Sequence, residues 1–561
     1  MSGFNHTKYR PFAAIQMAQR TWPDQVITKA PNWCSVDLRD GNQALIEPMS
    51  VEQKQQLFKL LVKVGFKEIE VGFPAASQPD FDFVRWIIEE DQVPEDVTLQ
   101  VLTQARPELI ARSFESLEGA RRAIVHVYNS TSTVQREQVF KQDKQGIIDI
   151  AVAGASVVKK LADESPETQW TFQYSPESFT GTELDFSVQV VDAVTSIWQP
   201  TPARPCIINL PATVEVSTPN IYADQIEWFC QHIAKRDAII VSVHTHNDRG
   251  CGVAAAELAV MAGAQRVEGT LLGNGERTGN MDIITMAMNL YSQGINPELD
   301  LANMAEIVRT VKECTQLPVH PRHPYAGELV YTAFSGSHQD AIKKCLDIQS
   351  RKDSSSPWEV AYLPIDPADL GRNYQEVIRV NSQSGKGGIA YTLEQEYGLQ
   401  LPRWLQIEFS REVQKQTELS GGEISSEAMW NLFKKVYMDQ ASPLHLGAFE
   451  LKRSTHEKMK AQIFSGTNTV EVSGEGHGVM AAFTNAIKND YGYQIDIQEY
   501  NEHALQQGSD AEAIAYIQVN INGKRYYGVA VHEDIITASL NAVLCTVNQY
   551  IGHQHNVSIA S

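Results

Sequence analysis

The chain has 561 residues, of which 43% are hydrophobic, and a formal net charge of −21. This length predicts two or three domains, and the acidic balance argues against nucleic acid or an anionic membrane surface as a main partner. Residues 1–20 lack the apolar stretch of a secretory signal, and no apolar run is long enough to span a membrane. Seven scattered cysteines without a Cys-x-x-Cys pair are typical of a reduced, cytoplasmic protein.

From residue 33 onward, short apolar strands alternate with amphipathic helical stretches. Ser50 and Gln53 form a capping box at the start of the first helix, and Gly65 is its stop signal. Eight such units predict a (β/α)₈ TIM barrel; a doubly wound open sheet is the alternative, but the regular units show no switch point. The predicted strands are 33–37, 68–73, 98–103, 123–128, 170–175, 207–212, 239–244 and 266–272, with helices that include 51–64, 80–90, 139–161, 185–198, 220–235, 252–262 and 282–291.

Polar residues follow the predicted strands, where a barrel of this kind builds its active site. His244 and His246 share one face of strand 7, and such a pair suits a divalent metal with open positions, although a bare His-x-His is more often structural. Asp40 and Asn280, after strands 1 and 8, would add a carboxylate and an amide oxygen. This mixed set suits Mg²⁺, Mn²⁺ or Zn²⁺. A 2-oxo acid could chelate the ion, and Arg39 could neutralise an oxyanion or simply pair with barrel carboxylates.

Several long motifs resemble those of the acyl-CoA/2-oxo-acid condensing enzymes of the DRE-TIM metallolyase superfamily, and within them the long-chain 2-isopropylmalate synthases. The paired signatures are Asp37-Leu-Arg-Asp-Gly-Asn-Gln and His244-Thr-His-Asn-Asp-Arg-Gly-Cys-Gly-Val-Ala-Ala-Ala-Glu. Further similar motifs lie at 72–77, 175–180, 209–215, 273–280, 334–340 and 363–367. The resemblance therefore covers almost the whole chain.

The resemblance implies a Claisen condensation of acetyl-CoA with 3-methyl-2-oxobutanoate that gives 2-isopropylmalate and CoA, the first committed step of leucine biosynthesis. It implies Asp40, His244, His246 and Asn280 as metal ligands, with Mg²⁺ as the first candidate and K⁺ as a further ion. It also implies catalytic roles for Arg39, Glu177, His338 and Tyr362. Arg39 would stabilise the alkoxide and Glu177 would position or deprotonate the acetyl group, whereas His338 and Tyr362 would come from the neighbouring subunit of a homodimer. The implied substrate-binding residues are Arg39, Leu102, His126, Tyr128, Ser175, Asn209, Pro211 and Thr213.

Beyond the predicted barrel domain of residues 1–325, composition changes at 349–357, a charged, serine-rich segment that predicts an exposed loop. Residues 326–440 are predicted to form a mainly helical connecting region that contains His338 and Tyr362. Residues 441–561 contain an internal repeat. Two strand–turn–strand units, with turn glycines Gly466 and Gly523, are each followed by a helix. This pattern predicts a C-terminal α+β domain with two β-β-α copies that pack their helices on a small sheet.

The resemblance assigns this last region to a leucine-sensing domain at a dimer interface. The implied leucine-contacting residues are Gly474, Gly476, Gly478, Gly528, Ala530 and Ala538. The glycines around 474–478 precede a helix, whose backbone N–H groups could receive a carboxylate; an ordinary glycine-rich turn is the alternative. The sequence departs from the family pattern at Ala530 and His477.

Several alternatives to this function remain open. A citramalate or homocitrate synthase would differ mainly beside Tyr128 and Asn209, where one or two methyl groups are worth about 1–3 kcal/mol. A lyase of the same superfamily or a biotin-dependent carboxyltransferase matches less of the chain. A catalytically silent amino-acid-sensing protein would need a broken active site, yet every candidate ligand is present.

Overall fold

The structure is a computed structural model that describes residues 3–333, 335–353, 355–372, 386–420, 424–438, 443–453, 455–505 and 511–559. The chain divides into two compact units, the first made of Met1–Val330 with Ala368–Arg372 and the second of Tyr331–Pro367 with Asn373–Ser561. The domain boundaries near 325 and 440 stay predictions, and residues 439–442 lie outside the described residues. In the described chain, no helix combines the length and apolar character needed to cross a membrane.

The first unit contains a closed barrel of eight parallel strands that follow one another in chain order. The barrel closes where the first strand pairs with the eighth, with Trp33 opposite Val267. This closure confirms the predicted (β/α)₈ fold and excludes the open sheet. The strands are β1 (Asn32–Ser35), β2 (Glu68–Gly72), β3 (Thr98–Gln104), β4 (Arg122–Ser130), β5 (Gln169–Glu177), β6 (Cys206–Ala212), β7 (Ile239–Thr245) and β8 (Arg266–Gly269).

The first barrel helix begins and ends at residues with recognisable capping chemistry. Ser50 and Gln53 form the predicted capping box, and Gly65 ends the first helix with a φ of 111°. The helices of this unit are α1 (Val51–Val64), α2 (Gln78–Glu89), α3 (Pro107–Ser116), α4 (Lys144–Glu164), α5 (Leu184–Trp198), α6 (Pro219–His232), α7 (Gly252–Met261), α8 (Ile283–Tyr291) and α9 (Met304–Thr315).

Two strands end earlier than the sequence predicts. β1 stops before Asp37 because residues Asp37–Gly41 wind into a π-helical turn. The backbone N–H groups of Arg39, Asp40 and Gly41 all donate to the carbonyl oxygen of Val36. β8 stops at Gly269, and Leu272 takes a left-handed φ of 62°, which an extended strand does not accommodate. Both departures lie at the carboxyl end of the barrel, where they position site residues.

The second unit begins with helices and continues with two similar sheets. The helices are α10 (Gly336–Gln349), α11 (Lys386–Tyr397), α12 (Arg403–Ser420) and α13 (Ser426–Tyr437). The predicted loop at 349–357 follows α10 and is largely exposed where it is described; Ser354 lies outside the described residues. The first group of strands comprises β9 (His445–Lys452), β10 (Glu457–Ser465) and β11 (Asn468–Gly476), and it is followed by α14 (Val479–Tyr491). The second group comprises β12 (Ile495–Ala504), β13 (Ala513–Ile521) and β14 (Lys524–His532), and it is followed by α15 (Ile535–Ile559).

The internal repeat is confirmed, and each copy contains one strand more than predicted. The strands form two antiparallel three-stranded sheets in the orders β11-β10-β9 and β12-β13-β14 instead of one small sheet. A shared apolar core includes Ile463, Phe483, Ile517 and Val543, which come from both copies. The two sheets and their helices therefore fold around one core.

Candidate metal centre and active site

A cavity of ≈ 1010 Å³ opens at the carboxyl ends of the barrel strands. Its wall combines polar strand ends with apolar side chains from the segments between β1 and α1 and between β2 and α2, and from the start of α1, such as Met49, Phe73 and Val51. All the residues that the sequence predicts to bind substrate line this cavity, namely Arg39, Leu102, His126, Tyr128, Ser175, Asn209, Pro211 and Thr213. Glu177 also lines it. The structure thus brings these predicted residues together; their individual roles stay predictions.

Three predicted metal ligands converge in this cavity. Asp40 comes from the π-helical turn after β1, and the two histidines come from the end of β7. The Oδ2 atom of Asp40 lies 3.4 Å from Nε2 of His244 and 3.5 Å from Nε2 of His246. Asn280, the fourth predicted ligand, lies beside His246 in an isolated β-bridge. All four residues are buried.

The other ring nitrogen of each histidine is held by a hydrogen-bond acceptor. Nδ1 of His244 lies 2.9 Å from the Glu268 carboxylate, and Nδ1 of His246 lies 3.2 Å from the carbonyl oxygen of Ala212. An acceptor at Nδ1 places a proton there, and in the neutral ring that binds a metal this leaves the lone pair on Nε2. In that tautomer both Nε2 atoms face Asp40 as in a metal-binding histidine pair.

Three buried atoms at this point make no hydrogen bond: Oδ2 of Asp40, Nε2 of His246 and Oδ1 of Asn280. The Asn280 amide is oriented by its own Nδ2, which donates to the carbonyl oxygen of Asn274 at 3.1 Å. Buried polar atoms are almost always bonded, so unsatisfied acceptors from three different loops indicate a cation. The donor set of carboxylate, imidazole and amide oxygen fits a divalent metal ion.

Arg39 lies next to these ligands and is fixed by two carboxylates. One of its nitrogens donates to Asp40 at 2.6 Å, and its Nε donates to Glu70. Burial by itself would lower the pKa of the guanidinium, but Asp40 and Glu70 outweigh burial and raise that pKa above its ordinary value. The same contact helps to keep the pKa of Asp40 well below its usual range despite burial. A fixed positive charge therefore faces the cavity beside the metal centre.

A second chain of hydrogen bonds runs from Glu70 into the cavity. The Glu70 carboxylate lies 3.0 Å from Nδ1 of His126, and Nε2 of His126 lies 2.7 Å from the hydroxyl of Ser175. Asn209 donates to the same hydroxyl at 3.1 Å. Glu70 thus orients His126, which in turn orients Ser175 toward the cavity.

The floor of the site is a buried charged layer that the sequence analysis missed. Glu268 accepts from Arg266 at 2.7 Å and from Gln173 at 2.6 Å, and Gln100 donates to Glu70 at 2.6 Å. Burial would raise the pKa of Glu268, but His244 and Arg266 hold it well below its ordinary value. A signal was available, because acidic and amide side chains inside otherwise apolar strands are rarely buried without a partner.

His338 and Tyr362, which are predicted to act in catalysis, belong to the second unit. Their rings stack with centroids 4.0 Å apart. Tyr362 is 60% exposed and has a left-handed φ of 65°, which is unusual for a non-glycine residue. The structure therefore pairs the two side chains, and their catalytic role stays a prediction.

The predicted leucine-contacting glycines differ from the expected open loop. Gly474 and Gly476 belong to β11, and a Cβ on Gly474 would lie 2.2 Å from the carbonyl oxygen of Ala482. In the other copy, a Cβ on Gly528 would lie 2.1 Å from the carbonyl oxygen of Ala542. These glycines allow a strand to pack against a helix. Gly478, with a φ of 109°, is the N-cap of α14. The buried Ala530 and Ala538 belong to the core of the second unit.

A (β/α)₈ barrel with a divalent-cation centre at its strand ends defines a metal-dependent barrel enzyme. Residues 30–311 match the family model described as HMGL-like. Residues 328–394 match the alpha-isopropylmalate synthase post-catalytic domain-like family, and residues 423–551 match the LeuA allosteric (dimerisation) domain.

Curated relatives cover almost the entire chain. A 2-isopropylmalate synthase of Rhodospirillum rubrum is 54% identical over 547 residues, which are 96% of this chain and 98% of the relative. Those of a Parafrankia species and of Pseudomonas putida are 55% and 54% identical, and each alignment covers 98% of both chains. The chain belongs to the 2-isopropylmalate synthase family.

Proposed function

We propose that this chain condenses acetyl-CoA with 3-methyl-2-oxobutanoate and hydrolyses the thioester, which gives 2-isopropylmalate and CoA. The observation that carries the proposal is the convergence of Asp40, His244 and His246, with the unsatisfied amide oxygen of Asn280, beside the fixed guanidinium of Arg39. A 2-oxo acid offers a carboxylate and a ketone oxygen to such a centre. This reaction would be the first committed step of leucine biosynthesis.

Asp40, His244, His246 and Asn280 would hold the ion, for which we propose Mg²⁺ because two of the four donors are oxygens. When bound, the cation would polarise the ketone of the oxo acid as a Lewis acid. Arg39 would then stabilise the negative charge that develops on the ketone oxygen, since its guanidinium is already oriented and needs no reorganisation. Glu177, whose carboxylate accepts from Ser130, would position or deprotonate the acetyl group.

The oxo acid would be held by a polar and an apolar part of the cavity. His126, Ser175 and Thr213 would bind its carboxylate, and Thr213 is itself fixed by the backbone N–H of Ser178 at 2.9 Å. Leu102 and the Tyr128 ring would contact the isopropyl group. The Tyr128 hydroxyl receives a hydrogen bond from Gln104 at 3.2 Å, which keeps the ring in place as a wall of the pocket.

The cavity is much larger than an oxo acid alone would fill. Its lining also includes Met49, Val51, Phe73 and Pro79, which would offer an apolar surface to the thioester arm of acetyl-CoA. Substrate pockets of this size are typical of enzymes that bury a long ligand. The shape of the cavity thus supports a condensation of two substrates.

We also propose a cytoplasmic homodimer that leucine inhibits. The LeuA-type match supports dimerisation and allosteric regulation, and none of the seven cysteines forms a disulfide bond in the structure. His338 and Tyr362 would complete the active site of the partner subunit. Leucine would bind near Gly478, where the first turn of α14 offers backbone N–H groups.

The test is release of CoA from acetyl-CoA with Mg²⁺, followed with a thiol reagent. 3-Methyl-2-oxobutanoate, pyruvate and 2-oxoglutarate are compared in parallel, with and without leucine. We expect the branched acid to be preferred and activity to be lost in Asp40→Ala. Preference for pyruvate or 2-oxoglutarate would instead identify a citramalate or homocitrate synthase, and no CoA release with any acid would refute the proposed enzyme.

The shared active site has its own test by complementation. Asp40→Ala and His338→Ala are each expected to inactivate the homodimer. After the two variants are mixed and allowed to exchange subunits, mixed dimers contain one barrel with both an intact metal centre and an intact partner histidine. Activity should then return. If the mixture stays inactive although exchange is complete, His338 acts within its own chain or not at all.

A further inference from the structure

The connection between β4 and α4 carries a series of hydrogen bonds that ends on Glu177. Ser130 and Glu177 are the last register pair of β4 and β5, so their side chains leave the sheet on the same face. The hydroxyl of Ser130 donates to Oε2 of Glu177. The backbone adds a second tie, because the N–H of Thr131 donates to the carbonyl oxygen of Glu177 at 3.1 Å. The end of β4 therefore holds both the main chain and the side chain of Glu177.

The direction of each hydrogen bond in this series can be assigned. The backbone N–H of Gln135 donates to the Ser132 hydroxyl oxygen, and that hydroxyl donates to Oε1 of Gln135 at 2.7 Å. The amide of Gln135 is thereby oriented with its NH₂ group toward Ser130, to whose oxygen it donates at 3.1 Å. A hydroxyl has one proton to give, and the proton of Ser130 is left for Glu177. Ser132, Gln135, Ser130 and Glu177 are called the Glu177 network below.

We propose that Ser132, Gln135 and Ser130 are positioning residues that hold the Glu177 carboxylate against the acetyl group of acetyl-CoA. The inference rests on the proposed condensation, in which Glu177 positions or deprotonates that group. Within the Glu177 network only Glu177 lines the cavity, and it is half-buried. A glutamate side chain has several rotatable bonds, so a directed donor is needed to keep one rotamer. A misplacement of about 1 Å at a reacting group can cost about 10²-fold in rate.

The turn that carries Gln135 is itself anchored, so the network has a fixed base. Arg136, the next residue, is buried. Its guanidinium donates to the carbonyl oxygen of Thr131 at 2.6 Å and to Glu183 at 2.8 Å. The hydroxyls of Thr131 and Thr182 lie 2.8 Å apart. These contacts join the connection after β4 to the segment after β5, which carries Glu177 at its start.

The test uses three full-length variants that differ in what they do to the Ser130 proton. Ser130→Ala removes the donor to Glu177. Gln135→Glu keeps the size of the side chain but adds a second carboxylate that competes with Glu177 for the same proton. Gln135→Met removes the amide without adding a competitor. We expect kcat to fall by up to about 10²-fold in Ser130→Ala and Gln135→Glu, and by less in Gln135→Met.

Two further measurements separate positioning from a general structural role. The KM for 3-methyl-2-oxobutanoate and the affinity for Mn²⁺ should stay close to those of the wild type. With acetyl-CoA deuterated in its methyl group, the isotope effect on kcat/KM should exceed that of the wild type, because C–H cleavage becomes slower relative to the other steps. Ser156→Ala is the matched control. Ser156 is exposed on α4 and donates to the carbonyl oxygen of Val152, so this variant should behave as the wild type.

The possible failures are distinguishable. A wild-type protein that releases no CoA with any oxo acid would refute the condensation, and this inference with it. An active wild type with unaffected Ser130→Ala would overturn the inference alone. A lower kcat with an unchanged isotope effect would also overturn it, because a smaller fraction of folded enzyme has that result. Equal activity of Gln135→Glu and Gln135→Met would refute the assigned direction of the hydrogen bonds.

Discussion

Replacing Glu268 by glutamine should weaken the metal centre without removing any metal ligand. One Glu268 oxygen accepts from His244 at 2.9 Å, and the other accepts from Arg266 at 2.7 Å. A glutamine amide must turn its NH₂ group toward one of these two donors. If it faces Arg266, two donors oppose each other in a buried site. If it faces His244, Nδ1 must become an acceptor and the proton moves to Nε2, which then cannot bind metal.

The expected loss follows from the behaviour of carboxylates that orient metal-bound histidines. Their removal commonly costs about 10–100-fold in metal affinity or activity, or roughly 1.4–2.7 kcal/mol. The assay is titration of Mn²⁺ into metal-free protein by calorimetry, together with the metal concentration that gives half-maximal CoA release. We expect the calorimetric dissociation constant and the half-activating metal concentration to rise together. Excess metal should restore part of the activity.

Glu68→Gln is the matched control. Glu68 also pairs with Arg266, so its substitution removes a carboxylate from the same guanidinium but touches neither histidine. It should leave metal affinity close to that of the wild type. Wild-type metal affinity in Glu268→Gln, or an equal loss in both variants, would refute the idea that Glu268 acts through the tautomer of His244.

Three further changes test other parts of the structure. Gly528→Ala should lower the unfolding temperature of the second unit, because its Cβ would lie 2.1 Å from a backbone oxygen and overpacking costs about 1–3 kcal/mol; Gly552→Ala, which meets nothing within 4 Å, should not. Glu183→Gln should destabilise the protein by ~1 kcal/mol after allowance for solvent screening. Hydrogen bonds from Arg136 lower the pKa of Glu183 to about 2 from 4.5. Urea titrations should therefore show the full difference in unfolding free energy between wild type and variant above pH 4.5, and this difference should shrink progressively as the pH falls toward 2. Arg39→Lys should reduce kcat by about 10²–10³-fold, since one ammonium cannot bond to both Asp40 and Glu70; near-normal kcat would contradict the role of a fixed guanidinium.

The barrel can be predicted because most of its strands are short, largely apolar runs and because helices such as α1 have local end signals, here Ser50 and Gly65. The metal ligands can be predicted for a related reason. Parallel strands end on the same side of a barrel, so His244, Asp40 and Asn280 must come close once the fold is known. Local pattern and topology together are sufficient for that part of the site.

Other features depend on contacts that no local pattern encodes. Glu70, Glu268 and Arg266 meet only because the barrel closes, and nothing near each residue in the sequence specifies its partner. The additional strand β12 escapes prediction because most of its residues are polar and exposed, so it lacks the alternation of a half-buried strand. The glycines of β11 resemble a loop in sequence. Their structural role, which is to let α14 pack closely against the strand, becomes apparent only in the folded structure.

The charged barrel floor also limits how this enzyme can be made more heat-resistant. Exchanging buried ion pairs for well-packed aliphatic side chains often stabilises a protein by about 1–4 kcal/mol. Here that route is closed, because Glu70 and Glu268 hold Arg39, His126 and His244 in place. Since the cost of desolvating charges falls as temperature rises, the buried charged layer destabilises the fold less at high temperature. Engineering for thermostability should therefore leave the floor untouched and concentrate on the helices and loops that surround it.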